Sequence, residues 1–442
     1  VFPMRKLLLF FLLAPFLTHA QPVLTLEQAI RTALENNYQI KIAQSQVQLA
    51  ENDNRYRNAG FLPLVTGNAL RNFSRNSLNQ TFFPVAGGVA REPLVQNGVN
   101  NNNSSVGVNG VWTIFDGFGM FIARDRLAEL VKSGEANAQV TIETTVANVS
   151  AAYYDVIRQQ ERVNALRDAL DSISAERVRL ARDRFEVGQG AKVDYLSAQV
   201  DYNTDKAALI TQEQALQNAK VTLNALLVRD RASDFVVNDT IAYRRDLNLE
   251  TLRDQVRRQN PALLAAALNR RIAGLDVDAQ KAALYPIVDV LGGYNYTTVN
   301  NGAGFGVRNG RAGSFNYGVR ATVPILNGFN QRRLIQNAKI NQIITEQQEA
   351  DLLVQLDAAL EQTFVNYRNS LRLVDVETQN LSIARQNVDI ALERYRIGVA
   401  TPLELREAQR NAVAVETRLI EAEFNTKIAE IELMRLSSAI VE

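Results

Sequence analysis

Cysteine is absent from the 442 residues, which excludes disulfides, thiolate metal sites and a cysteine nucleophile. Histidine occurs once, at His19. If that residue is removed with an export signal, no imidazole is left to act as general base or zinc ligand, so an enzyme is not expected. A charge surplus is missing as well: 48 Lys and Arg stand against 47 Asp and Glu. Such a balance gives no field to draw in nucleic acid. The run Leu7 to Leu17, broken by Pro15, falls short of the roughly 20 apolar residues that a spanning helix needs.

That run has another reading. Arg5 and Lys6 precede it, and Thr18-His19-Ala20 supplies small residues where a secretory cleavage site would lie. Residues 1–20 therefore read as a signal peptide, with the mature chain starting near Gln21. With no cysteine after the signal, a lipid-anchored N-terminus is not expected.

What the chain has is an internal repeat. Leu24-Thr25-Leu26-Glu27 matches Leu247-Asn248-Leu249-Glu250, Asn37 matches Asn260, and Pro63 matches Pro286, all at one offset (286 − 63 = 223). Farther on, Ile114 to Phe118 matches Ile325 to Phe329, and Phe185-x-x-Gly188 matches Tyr395-x-x-Gly398, with shorter offsets (328 − 117 = 211; 398 − 188 = 210). The layout is thus a first repeat over 21–228, a linking segment 229–246 and a second repeat over 247–442.

Each repeat reads in the same order. A helix comes first (25–58, then 247–281) and is ended by a residue that precedes proline. Two short alternating stretches follow around a polar loop. A long helical run (119–186, then 330–396) is broken at Gly188 or Gly398, and a last helix covers 192–228 or 402–440. In the second long run Leu360, Tyr367, Val374, Leu381, Val388 and Tyr395 recur every seven residues, with Leu371 and Leu392 in partner positions, a coiled-coil seam. Val163, Leu166, Leu170, Ile173 and Leu180 repeat it more weakly. At about 1.5 Å per residue a helix over 119–186 is on the order of 100 Å, and the flanking helices are each roughly half that. Two short helices end to end match one long one, as in the wall of a cylinder.

The alternating stretches predict four strands, at about 64–75, 104–115, 287–298 and 313–325. Phe315, Tyr317, Val319, Ala321, Val323 and Ile325 alternate with polar residues, and Val106, Val108, Trp112 and Ile114 do the same; 64–75 alternates poorly. A sheet on a soluble core would show one apolar face too. An export signal, aromatics on the apolar faces and strands of roughly 9–11 residues favour an outer-membrane barrel. Four strands cannot close one, since the smallest use about eight, so several chains must contribute. The Asn-rich stretch 96–103 and the Gly302 to Gly306 stretch read as loops outside the cell.

Phe185-Glu-Val-Gly188 followed by Asp194-Tyr-Leu-Ser-Ala198-Gln199, and Tyr395-Arg-Ile-Gly398 followed by Glu404-Leu-Arg-Glu-Ala408-Gln409, lie at matched positions in the two repeats. In layout and in these motifs the mature chain resembles the TolC-like outer membrane efflux protein family. The resemblance implies a mainly α fold in which long coiled-coil helices form an α-helical barrel in the periplasm. It also implies that four transmembrane strands per chain complete a 12-stranded barrel in a homotrimer, in contact with outer membrane lipid. Such channels are passive exit ducts for efflux or type I secretion. They work with a periplasmic adaptor (membrane fusion protein) and an inner-membrane transporter, and need no cofactor and no metal.

Carried over by motif position, Glu404 and Glu407 look like an acidic ring at the periplasmic gate, one helical turn apart. Asp194, Lys192 and Tyr395 look like gate contacts. Ala400 stands where an arginine latch is expected, and Lys192 is the candidate to compensate. Local chemistry offers plainer roles. Thr401-Pro402-Leu403-Glu404 is a capping box with proline at the first helical position, Gly188 and Gly398 end helices at positive φ, and Phe185 and Tyr395 are packing residues. The rival assignment is an adaptor-like coiled-coil protein of an export complex, which would carry one helical hairpin rather than a doubled unit.

Overall fold

The computed structural model describes residues 23–84, 87–88, 92–302 and 307–440. Residues 1–20, read above as a signal, and 303–306 of the glycine-rich stretch lie outside the described residues. The first repeat runs α1 (Leu26–Asn36), α2 (Tyr38–Asp53), β1 (Leu64–Gln80), β2 (Leu94–Phe115), α3 (Gly119–Ala169), a π turn (Leu170–Ser174), α4 (Ala175–Glu186) and α5 (Lys192–Leu226). The second runs α6 (Leu249–Gln259), α7 (Pro261–Ala282), β3 (Ile287–Asn301), β4 (Asn309–Thr322), α8 (Asn330–Arg396) and α9 (Pro402–Leu436).

The single opening helix expected in each repeat is two helices. Asn37 is extended (φ −61°, ψ 128°) and its side chain accepts from the Gln39 N–H at 2.9 Å. Asn260 takes the same conformation (φ −61°, ψ 118°), caps α7 by accepting from the N–H groups of Ala262 and Leu263, and precedes Pro261. In both places the amide replaces a helical backbone partner, which is how Asn stops a helix.

Two compact units divide the chain. One holds 23–41, 141–259 and 356–440 of the described residues; the other holds 42–140 and 260–355. In the first unit Val149, Tyr153, Val156, Leu223, Leu227 and Phe235 are fully buried together. Phe235 belongs to the segment 229–246, which is therefore core and not a bare connection. Leu24 donates its N–H to the Val236 carbonyl at 3.0 Å, and the Tyr153 hydroxyl donates to the Leu24 carbonyl at 3.0 Å. Along α8 the buried seam is Leu360, Tyr367, Val374, Ala384, Val388 and Tyr395, with Leu381 half-buried.

The weaker seam of the first repeat has a structural cause. The offsets 211 and 210 differ by one residue, so the first repeat carries one residue more than the second between its Gly-Phe turn and its Phe-x-x-Gly motif. A helix absorbs a single extra residue as one widened turn, and the π turn at Leu170–Ser174 lies in that interval. After Val163 and Leu170, the next position at sevenfold spacing is Arg177, buried to 1% exposure. A buried cation thus stands at that position of the seam.

In the second unit the strands pair antiparallel in the order β1-β2-β3-β4. They differ from the expected limits. β2 begins at Leu94 and includes the Asn-rich stretch 96–103, because Asn100 to Asn103 pair both with β1 and, from Asn101, with β3. β1 extends to Gln80, and β4 stops at Thr322, two residues before Pro324, which has no N–H to continue a ladder. Register puts Val106, Val108 and Trp112 on one face with Tyr296, Tyr294 and Val290, followed by Phe315 and Val319. The opposite face is polar: Asn109 bridges Asn68 (2.8 Å) and Asn295 (3.1 Å), and Asp289 accepts from Thr113 (2.8 Å) and Arg320 (2.7 Å). Among the described residues no helix is long and apolar enough to cross a membrane.

Candidate functional site

The duplicated motifs meet in the first unit, at the turns that join α4 to α5 and α8 to α9. Gly188 (φ +75°) and Gly398 (φ +80°) end the incoming helices in the left-handed region, where a side chain would strain the backbone. Behind each glycine the chain folds back: the Gln189 N–H donates to the Arg184 carbonyl at 2.8 Å, and the Val399 N–H to the Arg394 carbonyl at 2.9 Å. Thr401 then caps α9. Its hydroxyl oxygen accepts from the Glu404 N–H at 3.3 Å and its O–H donates to Glu404 Oε1 at 3.1 Å. The reciprocal half of a capping box, Glu404 back to the Thr401 N–H, is not formed.

Tyr395, Ala400 and Leu405 form a small buried cluster inside the second turn, with Ile173, Leu180 and Leu392 packed on it. Above it Arg184 lies over the Tyr395 ring, 4.5 Å from the centroid, and donates to the Tyr395 carbonyl oxygen. Arg396 reaches the other way, to Glu176 at 3.2 Å. The end of the first repeat's long helix is therefore tied to the end of the second's by two arginines. Burial raises the pKa of the Tyr395 hydroxyl, against the opposing pull of the Arg184 and Arg177 cations.

Deeper in, a polar network replaces the apolar seam. Arg177 pairs with Asp201 at 2.7 Å and Arg406 with Asp205 at 2.6 Å. Ser174, fully buried at the end of the π turn, donates to Asp205 at 2.6 Å and accepts from Gln409 at 2.6 Å. The network joins α4, α5 and α9 through paired charges, which is the only arrangement in which buried ions are tolerated. Burial opposes ionisation of Asp205, yet hydrogen bonds from Arg406 and Ser174 hold its carboxyl below the usual range. Burial likewise lowers Arg177, with Asp201 pulling back. Beside the network lies a cleft of about 890 Å³ lined by residues of α5 and α9, with Asp194, Asp201, Arg406 and Glu407 among them.

The motif residues do not all converge. Glu404 is half-exposed, 4.0 Å from Arg394, and Glu407 points to solvent beside Arg410 at 3.5 Å. No hydrogen bond joins Asp194 to Tyr395 within the chain, and Lys192 is exposed with no ion pair among the described residues. Ala400 is itself buried in the turn, beside Tyr395 and Leu405. The arginine that grips the second turn is Arg184, which sequence reading missed. It lies one heptad after Arg177, so extending the seam 163, 170, 177, 184 would have found it. Phe185 is partly exposed and stacks on Tyr195, with centroids 6.4 Å apart. Among the described residues no group of three or more carboxylates or imidazoles is placed to hold a metal.

A family model described as outer membrane efflux protein matches residues 29–228 and 252–439. The chain is 23% identical over 414 residues to the outer membrane efflux protein BepC of Brucella suis biovar 1, covering 93% of this chain and 84% of that one. It is 21% identical over 328 residues to the outer membrane protein TolC of Vibrio cholerae, covering 73% and 74%. In fold it is similar to the outer-membrane channel OprN, with a TM-score of 0.75 at 19% identity, over 94% of this chain and 90% of that one.

Proposed function

This chain belongs to the outer membrane efflux protein family and is an outer membrane efflux channel without catalytic activity; on that premise we propose that three copies close one passive duct whose periplasmic mouth is formed by the Gly188 and Gly398 turns. The observation that carries the assembly is the sheet. β1 and β4 each have one neighbour within the chain, leaving two open edges on a sheet whose one face is aromatic and aliphatic. Open edges cannot sit in hydrocarbon, where every backbone N–H and C=O must be paired. Pairing β4 of one copy with β1 of the next satisfies both edges, and three copies supply the twelve strands of one barrel. The family match through both repeats sets aside the adaptor alternative.

At the mouth, Glu404 and Glu407 supply the acidic ring. Thr401 fixes Glu404 at the first turn of α9, and Glu407 follows one turn later, facing solvent. Six carboxylates from three chains around one axis favour cations and repel anions. Lys192 and Asp194, without side-chain hydrogen bonds or ion pairs among the described residues, are the groups available to a neighbouring subunit. Arg184 and Tyr395 hold each chain's own pair of turns together. A periplasmic adaptor and an inner-membrane transporter complete the export path, for efflux or type I secretion.

Planar-bilayer recording of the purified protein, with its mass measured in mild detergent, tests the assembly. Stable pores from a complex of three chains are expected. Pores from a complex of any other stoichiometry overturn the threefold closure, and a monomer without conductance overturns the duct.

A further inference from the structure

The apolar face of the sheet gives way to polar and cationic side chains. Past Val106, Tyr296 and Gly313, the next row on the same face is Arg71, Ser104, Thr298 and Arg311, fixed by direct pairing of each residue with the next. Beyond it comes a row of Phe73, Asn102, Asn300 and Asn309, amides on three of its four strands. A depression of about 640 Å³ spans the row, with Arg71 at one side, Arg311 at the other, and Ser104 and Thr298 between.

Charge on the sheet is one-sided. The four strands contain a single carboxylate, Asp289, which lies on the opposite face and is paired with Arg320 at 2.7 Å. Neither Arg71 nor Arg311 has a carboxylate partner among the described residues, and both are exposed. Arg71 is held in place by its own surroundings: its guanidinium lies 4.8 Å from the Phe73 ring centroid, and its Nε is 3.5 Å from Asn102 Oδ1. Two unpaired guanidinium groups at the border of an apolar band, aimed over hydroxyl and amide side chains, are unfavourable next to hydrocarbon and favourable next to anionic headgroups.

We propose that this row binds a phosphorylated glycolipid of the outer leaflet, with Arg71 and Arg311 each taking one phosphate and Ser104 and Thr298 meeting sugar hydroxyls between them. Location selects the outer leaflet. The row lies past the apolar band on the side away from the helices, midway along β1 and β2 and near the ends of β3 and β4, and the helical part is periplasmic. Width selects two phosphates: the row crosses four strands, three spacings of roughly 4.8 Å, so its arginines are carried about 14 Å apart. A headgroup with one phosphate engages one of them; a disaccharide phosphorylated at both ends engages both, each through the planar fork that suits phosphate oxygens. The site rests on the outer-membrane placement of the strands and not on the number of chains in the barrel.

The full-length protein in mild detergent is incubated with bisphosphorylated lipid A, monophosphorylated lipid A, phosphatidylglycerol or inorganic phosphate, and retained lipid is counted by native mass spectrometry alongside the melting temperature. Retention of the bisphosphorylated form about tenfold above the monophosphorylated form is expected, with loss of that preference in Arg71→Gln/Arg311→Gln and partial recovery in Arg71→Lys/Arg311→Lys. Equal retention of the two forms by the unaltered protein, stronger retention of phosphatidylglycerol, or displacement of the lipid by inorganic phosphate overturns the proposal. The comparison of lipids on the unaltered protein decides the matter even if the double variant fails to fold. Oligomer mass from the same spectra keeps the two readings apart: a monomer that retains the lipid removes the trimer and leaves the site, and a trimer that ignores it does the reverse.

Discussion

Arg184 covers the ring of Tyr395 at 4.5 Å and donates to the same residue's carbonyl oxygen, so one guanidinium grips both the side chain and the backbone of the last turn of α8. The contact ties the two repeats together at their closing turns. Such a stack with a hydrogen bond contributes on the order of 1–3 kcal/mol. Replacing Arg184 with Ala should therefore raise the resting open probability in single-channel records by about tenfold or more, since 1.4 kcal/mol is a factor of ten. Lysine keeps the charge and loses the planar fork, so Arg184→Lys should fall between the two. An open probability unchanged in Arg184→Ala would remove the contact from the closing of the mouth.

The Arg177–Asp201 pair predicts asymmetric mutational costs. Arg177 is buried, so Asp201→Ala takes away its hydrogen-bonded partner; with Asp201 partly exposed and Asp205 still nearby, the cost should be about 3 kcal/mol, the low end for a broken buried pair. Arg177→Met removes the buried charge itself and leaves Asp201 with access to solvent, at a smaller cost. The double variant should be more stable than Asp201→Ala alone. Thermal unfolding followed by circular dichroism ranks the three proteins, and a double variant less stable than either single one would contradict the pairing.

Glu161 on α3 predicts a pH dependence. Burial, with a smaller push from Glu423, raises its carboxyl to about 7, and burial raises Glu423 as well. A carboxyl raised on folding binds a proton in the folded chain at pH values where the unfolded chain has released it. Stability should therefore increase as pH falls from above 7 toward the ordinary carboxylate range near 4.5, and level off below that. The melting temperature measured across this window should show the rise, and Glu161→Gln should flatten it. A melting temperature that climbs with pH in the unaltered protein, or a slope indifferent to Glu161→Gln, contradicts the assignment.

Capping and ring roles of Glu404 separate by chemistry. An amide still accepts a hydrogen bond from the Thr401 hydroxyl, so Glu404→Gln with Glu407→Gln should keep the helix start while cutting cation preference and block by trivalent cations. Thr401→Ala removes the cap and should cost about 1 kcal/mol of stability. Reversal potentials under a salt gradient measure the first effect and thermal unfolding the second. If the double Gln variant keeps its selectivity, Glu404 and Glu407 are helix-start and surface residues only.

Much of the architecture was legible from pattern alone. The seam residues Leu360, Tyr367, Val374, Val388 and Tyr395 are buried at the spacing read from the sequence, because heptad burial is a property of one helix. The alternation of Val106 to Ile114 and of Phe315 to Val319 gave two strand faces for the same reason. Legibility failed where a partner decides. β1 alternates poorly, yet it is a strand of 17 residues because β2 pairs with it from Leu64 to Gln80. Asn101 to Asn103 have loop composition and lie within the ladder because strands on both sides take up their backbone groups. Arg184 was not named from the motifs although it lies over Tyr395, since contact between two helix ends depends on how they are packed.

By itself the sequence determined the duplication, the order of helices and strands, the left-handed glycines at the two turns and the incompleteness of four strands, because each follows from local periodicity, backbone sterics or arithmetic. Only the tertiary structure decided that the one-residue difference between repeats becomes a π turn at Leu170–Ser174, that Arg177 is buried against Asp201, and that Arg184 closes over Tyr395. These depend on which groups surround a residue once the chain is folded, and a charge can be placed in a helix seam only where the fold brings an opposite charge to meet it.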